Sequence, residues 1–163
     1  MQKTTILEQM RRNAVALISL AVAVTSLGYN TWRNEHSERN RNLRFASFEL
    51  LLKLGELEDL VFVNYFDCDA RLRGSIRTGW TIVRTIDDLA HVLDEDGMPQ
   101  NVAQLDAVWE ESSPHIDFDS AEQCRALKSD DQKRTFLEKQ VFDIRDAIDV
   151  VRADARSVLY DLE

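Results

Sequence analysis

The sequence predicts an all-α protein: a single N-terminal transmembrane helix that continues into a roughly up-down-up-down four-helix bundle. Three observations predict it. Residues 14–32 read AVALISLAVAVTSLGYNTW, 19 residues without a charge, set between Arg11 and Arg12 on one side and Arg33 on the other. Only five Gly and two Pro punctuate 163 residues, too little turn chemistry for a sheet with many reversals. The apolar residues of the C-terminal segment recur at alternating steps of four and three, the period of one helix face.

Residues 1–13 form a short basic tail, and residues 14–32 are the span. At about 1.5 Å per residue such a helix covers about 28 Å, close to the hydrocarbon thickness of a bilayer. Tyr29 and Trp32 fall where an aromatic belt anchors the far interface. Ala21, Val22 and Ala23 fit the small-x-small pattern of a signal-peptide cleavage site. The apolar run continues past them through Leu27 into interface aromatics, which favours an uncleaved anchor. Within the span Ala16, Ser19, Ala23 and Ser26 form a small-residue stripe, and Ala21 pairs with Thr25. Small residues let membrane helices approach closely, so this stripe is expected to pack against another membrane helix.

Residues 33–163 make the bundle domain, with helices expected over about 34–66, 76–95, 100–111 and 120–163. The linker 34–42 holds no helix breaker, so the first bundle helix is expected to run on from the anchor. Leu43, Leu50, Leu54, Leu57 and Val61 give it an apolar stripe, with Ser47 in the small position. Phe45, Phe48, Leu51 and Phe62 are expected to widen that stripe into a face buried against more than one neighbour. Ser75 is the expected N-cap of the second helix, with Gly79 an early weak point. Its core face is Ile82 and Val83, Ile86, Leu89 and Ala90, and Leu93. The DEDG run and Pro99 end it, and a short third helix over about 100–111 carries Val102, Leu105, Val108 and Trp109, closed by Ser113 and Pro114.

The last helix is the most regular. Leu137, Val141, Ile144, Ile148, Val151, Ala155, Val158 and Leu162 hold a heptad seam of the coiled-coil type for nearly four heptads. Ser129 to Gln132 and Ser120 to Gln123 both have the S-x-x-Q form of a capping box, and the repeat allows a bend over residues 128–131.

Charge divides the chain. Residues 1–45 hold seven Lys/Arg against three Asp/Glu, a net of +4, while residues 46–163 hold 13 against 26, a net of −13. An acidic domain repels phosphate backbones, so nucleic acid is not an expected partner. The basic part adjoins the anchor and faces lipid head groups. Lys and Arg are balanced across the span, so the positive-inside rule assigns no side. In an up-down-up-down bundle Cys68 and Cys124 fall at the same end. A disulfide between them would persist only in an oxidising compartment, and this leans the domain toward the periplasmic side of a bacterial-type inner membrane.

Three clusters hold side chains of chemical interest. Asp87, Asp88, His91, Asp94 and Glu95 have i, i+3 and i+4 spacing, but no second His-bearing helix supplies further ligands, so an exposed acidic face is the stronger reading. His115, Asp117 and Asp119 alternate in a loop that matches no standard metal loop. Arg71, Arg73 and Arg77 flank the start of the second helix and form a candidate anion-binding patch on an acidic domain. No G-x-S-x-G, C-x-x-C or Gly-rich phosphate loop is present, so neither catalysis nor a metal or other cofactor is expected. The expected function is a non-catalytic interaction or accessory subunit of a membrane assembly. Its partners are the membrane and membrane or membrane-proximal proteins, a second copy of the chain among them. The alternative is a ligand-sensing bundle that binds a small anion or carboxylate near Arg71, Arg73 and Arg77.

Overall fold

A computed structural model of the chain describes residues 13–69, 74–93 and 98–162. Among these residues it contains five α-helices and no strand: α1 (Ala14–Phe66), α2 (Ile76–Leu93), α3 (Met98–Ser112), α4 (Ala121–Ser129) and α5 (Asp131–Asp161), with a 3-10 turn at Ser113–His115 between α3 and α4. The protein is all-α. It divides into two compact units, Met1–Arg41 and Asn42–Glu163.

The first unit contains the uncharged stretch of α1. That stretch is long and apolar enough to cross a membrane, and none of it is buried by the rest of the chain. Both threonine hydroxyls of the stretch bond to its own backbone. Thr25 Oγ1 donates to Ala21 O at 2.8 Å and Thr31 Oγ1 to Leu27 O at 3.0 Å. Bonding of this kind is what removes the cost of an unpaired hydroxyl wherever a helix meets hydrocarbon. Tyr29 and Trp32 lie 6.1 Å apart, and Trp32 stacks on His36 at 5.8 Å.

The second unit owes its core to four apolar stripes. The C-terminal part of α1 supplies Leu50, Leu54, Leu57 and Val61; α2 supplies Val83, Ile86, Ala90 and Leu93. From α3 come Met98, Val102, Leu105 and Trp109, and from α5 the seam from Leu137 to Val158, with Leu162 half-covered at its end. Each fully buried Leu, Ile or Val contributes roughly 1.5–3 kcal/mol, so these stripes hold the helices together. The helix α3 lies against both α2 and α5. Ser47 fills the small position in the α1 stripe and donates its hydroxyl to Leu43 O at 2.9 Å.

Polar ties fix α1 and α3 to α5. Glu58 accepts from Arg152 at 2.6 Å and from Arg145 at 3.4 Å. Partial burial pushes the Glu58 carboxyl up, but the hydrogen bonds and charges of Arg152 and Arg145 outweigh it and hold it below its ordinary value. Asn101 Nδ2 donates to Asp154 Oδ2 at 2.7 Å across α3 and α5.

The helix ends differ from the sequence expectation in instructive ways. Pro99 sits inside the first turn of α3 rather than before it, because a helix's first N–H groups have no intrahelical partner to lose. The expected helix 120–163 is two helices. Asp130 adopts extended backbone (φ −93°, ψ 116°), and its carboxylate caps α5 by accepting from the N–H groups of Gln132 and Lys133. The hydrogen bond from the Lys133 N–H is the chief reason the Asp130 carboxyl is held below its ordinary value. Ser129, expected as that cap, instead donates to Ala126 O and closes α4. A carboxylate is as good a cap as a hydroxyl and is also favoured by the helix dipole.

Gly79 is more than a weak point in α2. A β-carbon there would overlap the indole of Trp109, which is fully buried, so glycine is what lets α3 seat its tryptophan on α2. The Trp109 Nε1–H has no hydrogen-bond partner among the described residues.

Candidate functional site

The cysteines come together where α1 ends and α4 begins. Cys68 and Cys124 are bonded, with Cα atoms 5.6 Å apart and 56 positions of sequence between them. Local chemistry aims α4 at this point. Ser120 caps it by accepting from the Gln123 N–H at 3.1 Å, while the Gln123 side chain accepts from the Asp119 N–H at 2.7 Å. Beside the disulfide Tyr65 donates to Glu138 Oε1 at 3.3 Å and takes the Lys128 ammonium 4.8 Å above its ring centre. Burial, followed by the charge and hydrogen bond of Glu138, pushes the Tyr65 phenol up. Burial pulls the Lys128 ammonium down against the opposing charge of Asp67.

Among the described residues the other sequence candidates are not brought into one site. Arg77 is exposed, its backbone N–H donating to Ser75 Oγ at 3.1 Å, while Arg71 and Arg73 lie outside the described residues. His91 Nδ1 is 2.8 Å from Asp87 O, a contact within one turn of α2. Asp88 lies beside them on α2, and Asp94 and Glu95 lie outside the described residues. His115 meets Phe136 edge-on at 5.0 Å, with Asp117 exposed nearby. Among the described residues no group of three or more His, Cys, Asp or Glu side chains is arranged to hold a metal ion. Ala16, Ser19, Ala23 and Ser26 are all exposed on α1.

The heptad seam of α5 is core: Leu137, Val141, Ile144, Ile148, Val151, Ala155 and Val158 are buried within the chain itself, in one apolar cluster with residues of α1, α2 and α3. One expectation about surfaces is corrected: Phe45 and Phe48 do not widen the buried stripe of α1. They are 72% and 58% exposed, as are Leu52 (62%) and Phe66 (67%), and together they line the outer face of the helix. The geometry is simple: two residues apart on a helix is about 200° around it, so Phe48 points away from where Leu50 points. That angle was the available signal. From Phe45 to Phe66 the face extends about 31 Å along the axis. Phe62 stands half-buried at its edge, stacked on Phe66 at 5.8 Å and covered by the Arg145 guanidinium at 5.0 Å.

No protein-family model, curated protein or solved structure matches this chain.

Proposed function

We propose that this protein is a membrane-anchored, non-catalytic accessory subunit whose helical domain docks onto a membrane or membrane-proximal protein through the outer face of α1. One observation carries the reading: the chain buries its own heptad seam and leaves large apolar side chains in a row on α1. Scattered exposed apolar residues are ordinary, but several recurring on one helix face mark an interaction surface. The uncharged stretch of α1 supports anchorage, with its small residues free to meet another membrane helix. The bond between Cys68 and Cys124 supports a domain in an oxidising compartment, the periplasmic side of a bacterial-type inner membrane.

Size measurement in mild detergent tests this. Wild-type protein extracted from its native membrane is expected to migrate within a larger assembly. The Leu52→Glu, Phe66→Glu variant is expected to migrate alone with an unchanged Tm. Wild type migrating as a monomer, or the variant keeping its partner, refutes the proposal.

A further inference from the structure

A groove of about 400 Å3 is walled by Arg44 and Phe48 and Leu51 of α1 and by Arg156, Leu159 and Tyr160 of α5. That volume lies in the range of small-ligand sites. Its charged walls are both cationic although the domain around them is strongly acidic. Arg156 has no hydrogen-bond or ion-pair partner among the described residues. Arg44 donates one N–H to Leu162 O at 2.7 Å, which fixes its guanidinium at the end of α5. The remaining walls are apolar, and Tyr160 and Phe48 expose most of their rings. Two guanidinium groups beside an apolar trough match one kind of molecule, an anionic head joined to a hydrocarbon tail. Guanidinium forks bind phosphate oxygens with bidentate geometry, and the trough covers the first methylenes.

We infer that this groove binds an anionic phospholipid of the bilayer that holds the anchor. Charge complementarity selects the anionic head. Covalent distance selects the source: eleven residues lie between Trp32 and Arg44, so the chain itself limits their separation to about 40 Å at full extension and keeps the groove within reach of the anchoring bilayer. The inference rests on the anchorage proposed above. It occupies only the Phe48 end of the outer face of α1 and leaves Leu52 to Phe66 for the protein partner.

Native mass spectrometry of the full chain in mild detergent tests it, with phosphatidylglycerol, phosphatidylcholine and inorganic phosphate as separate probes. Phosphatidylglycerol is expected to bind in preference to phosphatidylcholine. Arg156→Gln is expected to weaken phosphatidylglycerol about fivefold, the effect of one cation near an anionic lipid, with Arg125→Gln at an exposed position of α4 leaving it unchanged. Equal binding of the two lipids, or no effect of Arg156→Gln, overturns the inference. Binding of inorganic phosphate as tight as that of phosphatidylglycerol also overturns it, since the apolar walls would then be unused. Alkaline extraction of membranes reads the anchorage separately. Release of the protein overturns the bilayer as the lipid's source, whereas retention with unselective lipid binding overturns the groove alone.

Discussion

Gly79→Ala sets two known effects against each other. In an ordinary exposed helix interior the change stabilises by about 1 kcal/mol, because Ala is the better helix former. Here the new methyl group has to occupy the space of the Trp109 indole. Trp109 is fully buried and cannot swing aside into solvent, so the helices must part or the ring must leave its rotamer. Overpacking of this kind costs about 1–3 kcal/mol, and the upper half of that range applies because the obstacle is a rigid ring. The net expectation is a destabilisation of about 1–2 kcal/mol. For a unit of about 120 residues this lowers Tm by roughly 4–8 °C. Thermal melts of the full chain in detergent, followed by near-ultraviolet circular dichroism, read both Tm and the indole's environment. Trp109→Phe on the same background frees space at the contact, so the double variant should be more stable than the sum of the single changes by about 1 kcal/mol. A Gly79→Ala protein at least as stable as wild type would refute the packing of α3 on α2.

Four further outcomes follow from the same contacts. Glu58 is held below its ordinary value, so its stabilisation is complete above the unfolded carboxylate value and is lost as pH falls through the lower folded one. Glu58→Gln is therefore expected to lose about 1–2 kcal/mol near pH 7, with the gap to wild type closing below about pH 4; a gap independent of pH contradicts the pairing. Replacing Cys68 and Cys124 with Ser opens a loop spanning 56 positions, an expected loss of about 4 kcal/mol in chemical denaturation, and a loss below about 1 kcal/mol argues against the bond. In intact cells a membrane-impermeant maleimide should label the cysteines only after reduction, whereas labelling that needs lysis but no reductant would move the domain to the cytoplasm. Leu54→Ala, at a fully buried site, should lose about 2–5 kcal/mol while Leu52→Ala stays within about 0.5 kcal/mol; equal losses would contradict the assigned faces of α1.

The helices were legible because their signals are local. The spacing of Leu50, Leu54, Leu57 and Val61, and the seam of α5, follow directly from 3.6 residues per turn, and all of these side chains are buried except the half-covered Leu162. Serine and aspartate caps mark α2, α4 and α5 within a residue or so of their starts. What stayed hidden depends on which elements meet. Sequence shows that Gly79 weakens a helix, but not that Trp109 lies on it. It shows that the α5 seam is apolar, but not that the chain's own core already takes it in. The outer face of α1 is obscured for a different reason. Hydrophobicity alone assigns Phe45 and Phe48 to a buried face, whereas their angle around the helix turns them away from it. Of the candidate anion patch only Arg77 is among the described residues, and it stands exposed at the start of α2.

The central claim is that the outer face of α1 meets a protein. Site-specific photocrosslinking in intact membranes tests it most directly, with a photoreactive residue placed in turn at Leu52, Asp59 and Phe66 on that face and at Glu122 and Gln132 on exposed turns of α4 and α5. The account predicts one discrete protein adduct of common identity from the three positions on α1 and none from the two controls. Adducts at the controls as strong as those on α1, or none at any α1 position, would contradict it.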